Sequence, residues 1–169
     1  MNAGAYNHEI SNYFHSALFL NQKGNEMKYT KKDINFGYRY SSFPKNEILT
    51  EATFKYSTGD PTIILENKKN ASQNRKKSQP LKYRSAGSIF KNPSKNYPAG
   101  YLIDQSGLKG ISSGNAQISR KHAKFIINKG DATANNVIEL IKIAKNEVLK
   151  KFNIKLELEI KLLGFSDEI

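Results

Sequence analysis

The sequence predicts an α+β protein in two lobes. The region from Ile34 to Leu65 has strand character, and residues from Thr133 onward carry a helical apolar stripe. Between them lies ENKKNASQNRKKSQP (66–80), a charged stretch with almost nothing to bury, which divides the chain in two.

In the first lobe, F-G-Y-R-Y alternates imperfectly, and EATFKYS reads as a strand with Ala52, Phe54 and Tyr56 on one face. TIIL (62–65) reads as a short buried strand, with Gly59-Asp60-Pro61 punctuating before it. The charged stretch is compatible with a linker or an exposed helix closed by Pro80, and we favour the helix. AGYLIDQSGLKG, after Pro98, predicts a short helix with Ala99, Leu102 and Ile103 inward and Gly107 as its C-terminal cap. Ala116 to Asn128 is strand-like, with F-I-I (125–127) as its buried part. Thr133 is a candidate N-cap for a long helix, in which Val137, Ile141, Ala144, Val148 and Phe152 recur at helical spacing and Leu140 and Ile143 widen the stripe. The final KLELEIKLLG sets Leu156, Leu158, Ile160 and Leu162 against Lys155, Glu157, Glu159 and Lys161, the pattern of a strand with one buried face.

Composition narrows the function. The 169 residues hold no cysteine, so disulfides, thiol catalysis and thiolate metal sites are excluded. The start, MNAGAYNHEISNYF, lacks the basic and apolar segments of a secretory signal, and no run is long enough to span a bilayer; the expectation is a cytoplasmic protein with no membrane partner. A formal charge of +12 invites a nucleic-acid reading. Yet 23 of the 27 cations are lysine and only four are arginine, whereas base and phosphate readout favours the arginine fork. A solvated basic surface is the better account, and one that still attracts anionic small molecules.

Standard constellations are absent. There is no phosphate loop of the G-x-x-x-x-G-K type and no full G-x-G-x-x-G. His8, His15 and His122 are too scattered for a metal site, so no metal is expected. Three stretches remain. F-G-Y-R-Y sets Arg39 beside Tyr38, either as a sheet arginine paired with a carboxylate or as a cation and phenol that hold an anionic substrate. S-A-G-S-I-F-K-N-P (85–93) leaves Ser88 open between a turn hydroxyl and a hydroxyl exposed to a ligand, with Gly87 clearing the approach. Glu159 in L-E-L-E-I is either solvated or lines a cleft.

Taken in order, these stretches resemble the UDP-N-acetylenolpyruvoylglucosamine reductases (MurB), the flavoenzymes of early peptidoglycan synthesis. The matching pieces are N-A-G-A-Y, F-G-Y-R-x-S and Q-P…S-A-G-S-I-F-K-N-P, followed by A-G-Y-L-I-D-Q-S-G-L-K-G, G-x-A-x-I-S-x-K-H-A-x-F-I-I-N, the A-T-A helix and L-E-x-E-I…G. They span nearly the whole chain. One departure is Gly114-Asn115-Ala116, where the family usually shows G-G-A.

The resemblance implies that NADPH reduces bound FAD and that the flavin passes hydride to carbon 3 of the enolpyruvyl group of UDP-N-acetylglucosamine enolpyruvate. Ser88 would then protonate carbon 2, with Arg39 and Glu159 flanking the substrate carboxylate. Tyr38 and Asn92 would hold the nucleotide sugar, with Lys91 a weaker candidate, and Gly4 and Tyr6 would border the flavin. It divides the chain into the remainder of an FAD-binding lobe (1–78), a smaller α/β substrate-binding domain (79–153) and a closing strand returning to the first lobe (154–169). Because N-A-G-A-Y lies deep inside the family's flavin region, the FAD site is expected to be incomplete here, with a separate chain as a candidate source of the missing lobe. The alternatives are a non-catalytic module that grips the UDP sugar and, behind it, a basic nucleic-acid binder.

Overall fold

In the computed structural model, residues 1–165 are described; the last four residues of the expected closing segment lie outside them. The chain forms two compact units that divide at Pro61.

The first unit opens with β1 (Gly4–Ala5) and β2 (His8–Glu9), joined by a two-residue turn in which Tyr6 and Asn7 both hold positive φ, at 51° and 63°. A single helical turn, α1 (Ile10–Tyr13), leads into β3 (Phe14–Leu20), which pairs antiparallel with β4 (Glu26–Thr30). Then come β5 (Phe36–Gly37) and β6 (Tyr40–Ser41), a tight hairpin, and β7 (Ile48–Phe54). The sheet order is β4-β3-β7, and Phe14, Ala17, Phe19 and Ile34 form the small core, with Phe43 stacked on Phe19 and edge-on to Phe14. β7 forms within the expected strand region, but it is exposed along its whole length, so Ala52 and Phe54 are not on a buried face; Tyr56 lies beyond its end and is also exposed.

The charged stretch is helical, and the helix is longer than expected. α2 (Pro61–Ser78) takes in TIIL, and Ile63, Ile64 and Leu65 are more than half exposed rather than buried in a strand. Pro61 supplies the reason: its fixed φ suits the first helical position, and a run of three apolar residues after Thr62 carries no period to oppose it. No described helix is long and apolar enough to cross a membrane.

The second unit is built on a four-stranded antiparallel sheet. β8 (Arg84–Ser88) precedes helix α3 (Ala99–Gln105), then β9 (Ser112–Ser113), β10 (Ala116–Ile118), β11 (Phe125–Asn128) and helix α4 (Ala134–Phe152). The sheet order is β8-β11-β10-β9. α3 buries Ala99, Leu102 and Ile103 and ends on Gly107, φ 75°; Gly107 N–H donates to Asp104 and Leu108 N–H to Ile103. That is the paired C-terminal closure for which glycine is favoured. Thr133 caps α4 through its hydroxyl, which accepts from Asn136 N–H at 3.2 Å. Ile138, Leu140, Ile141, Ala144 and Val148 face the core beside Ile89, Phe90 and Ile118. Asn115, at the departure from the family pattern, is exposed and has no positive φ, so a side chain is tolerated there.

Among the described residues, the expected closing segment forms no strand. Within residues 155–162 Leu156 is buried and Leu158, Ile160 and Leu162 pack on the second core, but Glu159 among them is also largely covered, so the exposed face is interrupted there. Only one bridge is made, Leu158 to Phe90, and the flanking backbone bonds go to Ile89 and Lys91. Alternation sets which side is buried; a strand needs a partner edge as well, and here that edge is about three residues long.

Candidate active site

Ser88 ends β8 at a β-bulge. It pairs with Phe125 while Ser85 pairs with Ile127, so β8 holds one residue more than its partner between these points. Gly87 sits in the extra length at φ 80°, and a Cβ there would meet nothing within 4 Å. The glycine therefore serves backbone conformation, and the bulge redirects the residue that follows it.

Glu159 arrives from the other end of the unit. Its N–H donates to the carbonyl of Ile89 at 2.8 Å, one residue from Ser88. Ser88 and Glu159 line a cavity of about 470 Å³ with Gln79, Tyr83 and Gly87. A second cavity, about 490 Å³, meets Ser88 from the Asn92 side and is lined by Lys109, Lys121, His122 and Lys124. The three lysines give this cavity a net positive lining that suits an anionic ligand, although Asp104 also lines it and pairs with Lys109.

The remaining expected residues fall as follows. The Asn92 side-chain oxygen accepts from Ala99 N–H at 3.2 Å and so caps α3 while bordering the cavity. Lys91 reaches Glu157 at 3.1 Å in an exposed pair and borders neither cavity. Arg39 and Tyr38 form the turn between β5 and β6 in the first unit, with Arg39 at φ 54° and its guanidinium 5.0 Å from the Tyr38 ring. Arg39 Nη2 also donates to the Gly4 carbonyl at 3.3 Å. Gly4 is itself explained by the β1–β2 hairpin, since a Cβ would lie 2.8 Å from Glu9 Cγ and from the His8 carbonyl. Tyr6 is 59% exposed at the hairpin tip. Neither Gly4 nor Tyr6 borders the two cavities that Ser88 lines.

Two residues escaped the sequence reading. Asn2 is 1% exposed; its Nδ2 donates to Glu9 Oε2 and to the Gly37 carbonyl, and its Oδ1 accepts from Ser11 N–H, which ties the Arg39 hairpin to the chain start. Lys124 is buried and paired with Glu159. Its signal was present: a lysine that interrupts the apolar run A-K-F-I-I. Burial pushes the His122 imidazole below its ordinary value, with the ammonium groups of Lys124 and Lys109 adding to the shift. Among the described residues no group of three or more histidines and carboxylates could hold a metal ion.

The family model for the C-terminal domain of UDP-N-acetylenolpyruvoylglucosamine reductase matches residues 79–163, which contain Ser88, Asn92, Lys124 and Glu159. The chain belongs to the MurB family. The reductase of Clostridium tetani is 46% identical over 165 residues, covering 97% of this chain and 53% of that protein. That of Exiguobacterium sibiricum is 44% identical over 165 residues, 97% of this chain and 54% of the other. The crystal structure of the MurB from Thermus caldophilus superposes with a TM-score of 0.82 at 36% identity, over 95% of this chain and 57% of that one. This MurB chain thus spans about half the length of the curated relatives it matches, and those relatives are named as reductases.

Proposed function

We propose that this chain carries the substrate-binding and proton-donating part of a UDP-N-acetylenolpyruvoylglucosamine reductase, acting on UDP-N-acetylglucosamine enolpyruvate in peptidoglycan synthesis. The supporting observation is the shared cavity of Ser88 and Glu159 inside the region that matches the family. In this reading a bound FAD, reduced by NADPH, would supply hydride chemistry at carbon 3 of the enolpyruvyl group, and no described residue is assigned a part in that transfer. Hydride addition leaves negative charge on carbon 2 and the adjoining carboxylate.

The Ser88 hydroxyl then gives its proton to carbon 2. A serine hydroxyl is a weak acid, so it serves only a strongly basic carbon and only where the resulting alkoxide is stabilised or reprotonated. Glu159 flanks the substrate carboxylate, and the family resemblance gives Arg39, in the first unit, the role of a cation for the charge that builds up in the reaction. Tyr38 and Asn92 hold the nucleotide sugar, with Lys91 in a lesser role, and the cations around His122 favour its diphosphate.

A UDP-sugar-binding module without catalysis is the second reading, favoured by the location of both Ser88 cavities wholly within the second unit. Calorimetric titration of the 169-residue chain with UDP-N-acetylglucosamine enolpyruvate tests what the two share: heat of binding is expected, and its absence at millimolar ligand refutes both. Reductase activity in an assembly that supplies the flavin separates them.

A further inference from the structure

Lys124 is 7% exposed as a residue, in a unit whose other lysines reach solvent. Taking an ammonium out of water is costly unless another group answers it. Here Glu159 does, with Oε2 at 3.4 Å from Nζ; the two side chains are 9% and 15% exposed. The pairs Lys91–Glu157 and Lys109–Asp104 leave at least about a third of each side chain in water and contribute little. Backbone bonds repeat the same link. Ile89 N–H donates to the Lys124 carbonyl at 3.0 Å, and the Ile89 carbonyl accepts from Glu159 N–H at 2.8 Å, so the residue after Ser88 lies between the two partners. Lys124 borders the cation-lined cavity, Glu159 the other, and Ser88 both.

A buried ion pair is a poor device for stability, because apolar residues of similar size often serve as well; what it adds is a fixed geometry. We infer that Lys124 is a positioning residue, whose ammonium holds the Glu159 carboxylate against the cavity beside Ser88 so that it meets the substrate in one orientation. The inference rests on the reading of Ser88 and Glu159 given above. Ammonium and carboxylate meet through Nζ and Oε2, so replacing the lysine removes the counter-charge that this carboxylate faces in a site where both side chains are largely out of water.

The test uses the 169-residue chain with Lys124→Met, Lys124→Gln, Lys124→Arg, Glu159→Gln and the Lys124→Met/Glu159→Gln pair, each checked for folding by its melting curve. Lys124→Gln keeps a donor in place should the Met variant not fold. Two quantities are read: the side-chain carboxyl carbon resonance of Glu159 in the free chain, and the Kd for UDP-N-acetylglucosamine enolpyruvate. The resonance should move in Met and Gln variants and much less in Lys124→Arg. The Kd should rise roughly tenfold in Lys124→Met and in Glu159→Gln, no further in the double variant, and by under about threefold in Lys124→Arg. A resonance that stays put, an unchanged Kd in Lys124→Met and Lys124→Gln, or single losses that multiply in the double variant would each overturn the inference alone. An unaltered chain that binds no UDP sugar overturns the reading of the site, and this inference with it.

Discussion

The backbone N–H of Glu159 and the carbonyl of Ile89, 2.8 Å apart, seat a carboxylate from the chain's end beside the serine that closes β8. The contact joins residues that lie far apart in sequence, and it makes Ser88 and Glu159 walls of one cavity. If that wall performs chemistry, its parts should fail in distinguishable ways.

Ser88→Ala should separate the two half-reactions. In an assembly or fusion that supplies the flavin, reduction of flavin by NADPH should be unaffected. Reoxidation by the UDP sugar should slow by about 10²–10⁴-fold, the usual worth of a positioned acid. Stopped-flow absorbance reads both, and equal loss in the two would assign Ser88 a structural role.

Asn92 has two tasks that substitutions can part. Asn92→Ala removes the oxygen that accepts from Ala99 N–H and should cost roughly 1 kcal/mol of stability as well as weakening UDP-sugar binding. Asn92→Asp keeps the acceptor, so its melting temperature should stay near that of the unaltered chain while the added negative charge raises the Kd. A Kd unchanged in both would remove Asn92 from the binding site.

Gly87→Ala tests the bulge. The new Cβ would meet nothing within 4 Å, so the cost is conformational: about 1–2 kcal/mol for holding an L-residue at φ 80°. Urea denaturation measures it. A stability within experimental error of the glycine form would mean that the bulge relaxes when the side chain is added, and Ser88 would then be expected to lose its place.

His122 sets a pH dependence. Its native value lies below the ordinary 6.5, so on acidification the unfolded chain takes up the proton first. The stability it contributes is complete above about pH 6.5 and is lost as the pH falls through the depressed native value. The melting temperature should therefore drop more steeply from about pH 7 to about pH 5 than it does in His122→Gln. Parallel curves for the two proteins would count against a neutral, half-buried imidazole.

Much of this was legible in the residues, where the signal is local. α3 with its Gly107 closure and α4 with its Thr133 cap follow from a helical period and end groups a few residues apart. Where period and partner disagree, the reading failed. β3, the central strand of the first unit, was missed because irregularities at Phe14/Ser16 and Leu18/Phe19 break its two-residue period. TIIL reads as a short buried run in a strand region, yet three consecutive apolar residues have no period of their own, and Pro61 starts a helix through them. The same limit applies to the site. Ser88, Arg39 and Glu159 stand out in their sequence stretches and take their roles from the resemblance, while Lys124 is one lysine among many until its burial is seen.

By itself the sequence determined the faces and the punctuation: which side of α4 is apolar, that Leu156, Leu158, Ile160 and Leu162 turn inward, and that Gly87 precedes Ser88 without bulk. Tertiary structure decided the pairings. It turned the alternating tail into a single bridge at Leu158, made Gly87 a bulge and gave Lys124 a carboxylate to answer it. The physical reason is range. Side-chain periodicity and capping act within one or two turns of backbone, whereas a hydrogen-bond partner or a counter-charge is supplied by chain that is distant in sequence and is set only when the core closes.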